Sequence, residues 1–285
     1  MIAEFWNSRP IRKLRKDRWA MLCLAVIVVY ALAALGVGLD IFATDYDVRI
    51  GAKYLLPFEG EDWKGWLGTD RQGRSILVRA LYSTKIAFQV GFVVALVSTL
   101  IGGVLGGIAG YFGKWVDDAI VWLYSTIQSI PNLLLLIAIS YVAGKGLFGI
   151  YLSFCATFWV GTCRVVRGEV LKLREAEYVQ AARSMGYGPW RILLRHVMPN
   201  TLHLLLVNFA LLFVGAIKSE VILSYLGLGV QGEPSWGVMI NQAKEELING
   251  FYWQIGAATV FMFGLVLCFN IFSDALSDAL DPKAL

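Results

Sequence analysis

The chain has 285 residues, 58% hydrophobic and only 16% charged, with a net charge of +4 and a mean hydropathy of +0.63. Ordinary globular domains are about 45–50% apolar and about 25% charged. Here the charges are scarce and clustered, which excludes a soluble enzyme, a disordered chain and a nucleic-acid-binding protein.

Residues 1–18 are a basic segment with Arg9, Arg12, Lys13, Arg15, Lys16 and Arg18, expected on the cytoplasmic side, where Lys and Arg collect near span ends. The first apolar run, 19–39, reads as a membrane span. A crossing helix needs about 20 apolar residues, and in hydrocarbon a helix satisfies its own backbone. Ala31-Leu32-Ala33 has the form of a signal-peptidase site, but the run continues to Leu39. That exceeds the ~7–15 residues of a signal core, so an uncleaved anchor is expected. The loop 40–85 completes a first unit, 19–85. It holds Arg49, Lys53, Lys64, Arg71, Arg74, Arg79 and Lys85 beside Asp40, Asp45, Asp47, Glu59, Glu61, Asp62 and Asp70. Parity puts this loop outside, against the usual bias of basic residues.

A second unit, 86–285, begins with span two, 86–112. Its Gly102, Gly103, Gly106, Gly107 and Gly110 let backbones approach closely, with a partner helix in this chain or another. Span three, 118–143, contains Pro131, which removes a backbone hydrogen bond and predicts a kink. Ser125, Gln128 and Asn132 fall at i, i+3 and i+7 on one helical face. That stripe either lines a pathway or bonds to a neighbouring span. Span four is 147–166.

Residues 164–198 carry Arg164, Arg167, Lys172, Arg174, Arg183, Arg191 and Arg195. Four spans separate them from the N-terminal basic cluster, so both lie on one face, with both termini inside. Residues 174–185 are good helix formers with acids in the first turn, where the dipole favours them. Gly186 stands where a left-handed residue ends a helix, and Pro189 suits the first position of another. A helix, tight turn and helix outside the membrane follow from this pattern. Ala181 and Ala182 offer a flat surface to a partner.

Span five, 201–228, carries Lys218 and Glu220 toward its outer end. Charges at mid-membrane cost about 2.5–3.5 kcal/mol. Lys218 can snorkel; Glu220 either lines an outer vestibule or braces the helix end. Span six is 251–272. Cys23, Cys155, Cys163 and Cys268 sit in apolar runs without CxxC spacing. His196 and His203 lack a zinc pattern, and no GxxxxGK[ST] phosphate loop occurs. No metal, cofactor or catalytic residue is expected in this chain.

The stretch Glu177-Tyr178-Val-Gln-Ala181-Ala182-Arg183-Ser-Met-Gly186, with Ile192, His196 and Pro199-Asn200 following, resembles the EAA loop of ABC importer permeases, in particular the dipeptide/oligopeptide/nickel branch. Further strings are similar to that branch: Leu67-Gly68-Thr69-Asp70-x-x-Gly73-Arg74, Gly110 to Asp117, Ser129-Ile130-Pro131, Glu220 to Gly229, Pro234-Ser235-Trp236-Gly237, and the tail from Ser273 to Pro282. Departures are Lys218, and Phe272-Ser273 where the family usually shows Leu-Gly.

The resemblance implies an all-α polytopic protein of six transmembrane helices, multi-pass in a bacterial cytoplasmic membrane, with a cytoplasmic coupling loop at 167–199. It implies a second permease, two cytoplasmic ATPases and an extracytoplasmic solute-binding protein that delivers solute to the outer loops 40–85 and 230–250. Glu177, Tyr178, Ala181, Ala182, Arg183, Gly186, Ile192, His196 and Pro199 are then the residues that couple to the ATPase. Ser125, Gln128, Asn132 and Glu220 are candidates for the solute pathway. A peptide solute is expected; a nickel or other small-solute importer is the alternative, and an ion-coupled secondary transporter is the rival of another class.

Overall fold

The computed structural model describes residues 9–60 and 62–280; Glu61, Asp281 and Pro282, named above, lie outside them. The N-terminal basic segment contains α1 (Arg9–Lys16), which lies against the last helix. The first span is α2 (Arg18–Gly38). Asp17 caps it, its carboxylate accepting the Trp19 and Ala20 amides at 2.9 and 3.2 Å, which satisfies two otherwise orphaned donors.

Span two is α3 (Ile76–Phe112), whose 37 residues reach about 55 Å from end to end. It starts well before the expected residue 86, with Ser75 accepting the Val78 amide at 3.1 Å. Arg79 and Lys85 hid this extension by lowering the local hydropathy. α3 is the hub against which α2, α7 and α10 pack.

The expected third span is not one kinked helix. It is two helices, α4 (Lys114–Gln128) and α5 (Asn132–Ala143), bent 86° apart. Pro131 lacks an amide donor and pushes Ile130 away from helical geometry, so Ser129-Ile130-Pro131 breaks the run rather than flexing it. Five described helical runs are long and apolar enough to cross a membrane, and six if the bent pair is one span.

α6 (Leu147–Thr157) and α7 (Trp159–Leu173) together make span four. The 174–200 loop contains α8 (Glu177–Ser184) and the short α9 (Pro189–Ile192). Span five is α10 (Leu202–Tyr225). A helix too short to cross a membrane, the 13-residue α11 (Trp236–Ile248), precedes the last span, α12 (Trp253–Leu280). α12 continues past the expected residue 272 through Ser273, Asp274 and Asp278.

The glycines of span two find their partners within the chain. A Cβ on Gly102, Gly106 or Gly110 would sit 2.5, 2.5 or 2.8 Å from the backbone oxygens of Trp159, Cys163 and Arg167. These three therefore seat α3 directly on the α7 backbone. Gly103 and Gly107 instead admit Leu205 and Met198, at 3.0 and 2.7 Å by the same construction. Many large apolar side chains stay exposed along α2, α3 and α10, such as Leu32, Leu100 and Leu211, as a lipid-facing surface requires.

Candidate functional site

The 174–200 loop folds as the residue pattern predicts. Gly186 ends α8 at φ +82°, with its amide on the Arg183 carbonyl at 2.9 Å and the next amide, from Tyr187, on Ala182 at 3.2 Å. Any side chain at Gly186 would be strained in that conformation. Pro189 opens α9, after which the backbone widens into a π-turn over Leu193–Val197 and tightens again over Met198–Thr201.

The orientation of α8 corrects one expectation. Ala182 is fully buried, and Val179, Ile192 and Val197 share its cluster with Val166, Val170 and Tyr111. Ala182 and Ile192 thus face the chain's own spans and are not on a docking surface. A short amphipathic helix must bury its apolar stripe, and the i, i+3 pair Val179/Ala182 supplies that stripe. The opposite face remains open: Glu177, Ala181, Arg183, Gly186 and Pro199 are exposed. Tyr178 is 42% exposed, and its phenol oxygen accepts from Asn200 Nδ2 at 3.3 Å. Partial burial, with Glu169 nearby, raises the Tyr178 pKa against the opposing Asn200 bond, so the phenol stays neutral at physiological pH. His196 is half-buried and stacks on Tyr187, with ring centroids 5.9 Å apart.

Residue-type matching overlooked Met185, Trp190 and Leu194, which are exposed around the same loop. Their signal was apolar bulk within a charged and polar segment; Met185 follows Ala182 by three residues, so the helical period alone does not set it apart. Two contacts tie the end of α7 and the residue after it to the junction of α3 and α4. Arg167 grips Asp117 through two bonds of 2.5 and 2.7 Å, and Arg174 donates to the Gly110 carbonyl at 3.3 Å.

The pathway candidates do not form one stripe, because the break separates Ser125 and Gln128 from Asn132. Gln128 and Asn132 still meet, in the wall of a cavity of about 520 Å³ beside the break, with Thr157, Phe158 and Leu212. Ser125 is exposed outside that wall. Glu220 is 1% exposed and is not in the wall of that cavity. Ser224 donates its hydroxyl to Glu220 at 2.6 Å and accepts the Val230 amide at 3.1 Å, so this geometry braces the turn after span five. Lys218 is exposed on another face of α10.

At the opposite end of α3 the string from Leu67 to Arg74 folds into an ion-paired clasp. Asp70 accepts the Gln72 and Arg74 amides at 2.8 and 2.9 Å, the Arg74 Nε at 2.8 Å, and the buried Arg79 guanidinium. Burial acts to raise the Asp70 carboxyl, but the Arg74 amide and the Arg79 and Arg74 charges outweigh it and hold it below its ordinary value. Arg71 pairs with Glu245 and donates its amide to Glu246 at 3.0 Å, which fastens the clasp to α11. Trp236, 1% exposed, donates its indole N–H to the Ala80 carbonyl at 3.1 Å. The roles of Arg71, Arg79 and Glu246 depend on residues up to 175 positions away and carried no local signal.

Comparison with known proteins agrees with this architecture. The family described as binding-protein-dependent transport system inner membrane component matches residues 102–285. A dipeptide transport system permease protein of Bacillus subtilis (strain 168) is 34% identical over 276 residues, 95% of this chain and 84% of that one. An oligopeptide transport system permease protein of the same organism is 35% identical over 289 residues, 98% of this chain and 90% of that one. A glutathione transport system permease protein of Pectobacterium atrosepticum is 34% identical over 249 residues, 83% and 82% of the two chains. In fold, the chain is similar to an inward-facing methionine ABC transporter, with a TM-score of 0.59 at 17% identity over 72% of this chain and 96% of that one. The chain is a multi-pass membrane permease and belongs to the binding-protein-dependent transport system inner membrane component family.

Proposed function

We propose that the chain forms, with a second related permease, the pathway of an ATP-driven peptide importer, and that two cytoplasmic ATPases drive it through the 174–200 loop. An extracytoplasmic binding protein delivers the solute at the clasp end, and both termini lie in the cytoplasm. The unit 86–285 supplies the transport machinery, and 19–85 supplies the first span and the outer loop. The observation that carries the reading is the loop's two-sided build: Ala182 and Ile192 lock it to the spans while Glu177, Ala181 and Arg183 stay open. Relatives named for dipeptide, oligopeptide and glutathione transport support a peptide solute. Glu220 serves as a brace, and Gln128 and Asn132 are the residues proposed to face the solute.

The test is uptake of radiolabelled trialanine into vesicles holding the reconstituted importer, with ATP inside and the binding protein outside. Uptake should require all components and cease when ATP is omitted. Uptake by this chain alone, driven by an ion gradient, would contradict the proposal.

A further inference from the structure

A cavity of about 530 Å³ opens at the clasp end of the molecule, and Tyr46, Asp47, Arg74, Arg79, Glu233 and Gln242 contribute to its wall. That volume lies in the range of small-molecule sites, about 300–1,000 Å³. The wall's cations are already engaged. Arg74 pairs with Asp70 and, at 2.7 Å, with Asp47, while Arg79 pairs with Asp70 and donates to Gln242 at 2.8 Å. Glu233 differs. Its Oε1 accepts the Tyr82 hydroxyl at 2.8 Å, and among the described residues it forms no ion pair.

Lys85 lies over the Tyr82 ring, 4.9 Å from its centroid, and donates to Tyr82 Oη at 3.2 Å, but among the described residues it forms no ion pair with Glu233. A carboxylate offers about four acceptor positions, so Glu233 keeps open ones after the Tyr82 bond. The Tyr46 ring, also in the wall, packs on Tyr82 with centroids 4.3 Å apart, and a cation can rest on such a face. The arrangement is a held carboxylate in one wall with the Tyr46 ring, in a cavity whose guanidiniums are paired with Asp47 and Asp70. It suits an organic ammonium.

We propose that this cavity is a receiving subsite for the amino-terminal ammonium of a peptide, with Glu233 as its counter-ion. The proposal rests on the peptide reading above and adds a recognition step by the permease itself, independent of the binding protein. An incoming ammonium would complete the charge pairing of Glu233 and orient the peptide amino end first.

The experiment uses the assembled permease–ATPase complex in nanodiscs without binding protein, titrated with trialanine or N-acetyl-trialanine and followed by saturation-transfer NMR. Wild type should bind trialanine about tenfold more tightly than the acetylated peptide, the scale of one charge-assisted contact. Glu233→Gln should abolish that preference, whereas Glu233→Asp should keep much of it. Tyr82→Phe removes the hydroxyl brace but keeps the carboxylate, and should also keep the preference. Equal binding of the two peptides by wild type, or an undiminished preference in Glu233→Gln, would overturn the subsite. Trialanine uptake by the full importer separates the two levels. Uptake without amine-dependent binding defeats the subsite alone, and absence of uptake defeats both.

Discussion

Ala181 and Ala182 are chemically identical neighbours with opposite surroundings. Ala182 is fully buried among Val170, Val179 and Ile192, while Ala181 is exposed. A side chain larger than methyl at 182 has to displace the chain's own core. Overpacking costs about 1–3 kcal/mol, and an unpaired buried charge adds several more. Ala182→Arg should therefore lower the amount of folded protein and expose the loop to protease, even when no partner is present. Limited proteolysis of the purified chain checks this, and an unchanged digestion pattern would place Ala182 on the surface after all.

Two structural units act on α3, one at each end. The Asp70 clasp holds its start, and the Arg167–Asp117 pair holds the first turn of α4 just past its end. Because the Asp70 carboxyl is depressed in the fold, the clasp is fully formed above the ordinary carboxylate pKa of about 3.9. It weakens as pH falls through the lower folded value. Asp70→Asn leaves Arg79, 2% exposed, without its counter-charge, a change that costs about 3–5 kcal/mol in buried pairs. The thermal midpoint of wild type in detergent should drop on acidification below about pH 4. Asp70→Asn should start lower at pH 7 and respond less to acid. Parallel pH curves for the two proteins would remove Asp70 from the clasp.

Across the whole molecule, span number and order were legible because long apolar runs leave few alternatives to a helix. Span ends were not. Arg79 and Lys85 masked the start of α3, and their tolerance there depends on partners such as Asp70, Gln242 and Tyr82 elsewhere in the sequence. Pro131 announced a departure from straightness but not its size of 86°, because one missing amide donor does not fix where the following helix, which packs on α6, comes to rest. The 174–200 loop was legible as a motif and misread as a surface at Ala182: the helical period shared by Val179 and Ala182 gave their face, while the residue types suggested docking. Orientation can be read directly. In a cysteine-free background, Glu59→Cys should react with an impermeant thiol reagent in intact cells, and Glu177→Cys should react only after permeabilisation. The reverse pattern would invert the protein in the membrane.

In the proposed coupling the open face of α8 meets the ATPase, so Ala181 is where docking can be probed without disturbing the core. Arginine there preserves helix propensity and leaves the Val179/Ala182 packing intact. The decisive measurement is ATPase copurification with membrane-extracted Ala181→Arg, beside uptake by the same cells. With permease level unchanged, the ATPase should be lost and uptake should fall to background, since even 1.4 kcal/mol weakens binding about tenfold. Retention of the ATPase together with normal uptake would contradict coupling through this loop.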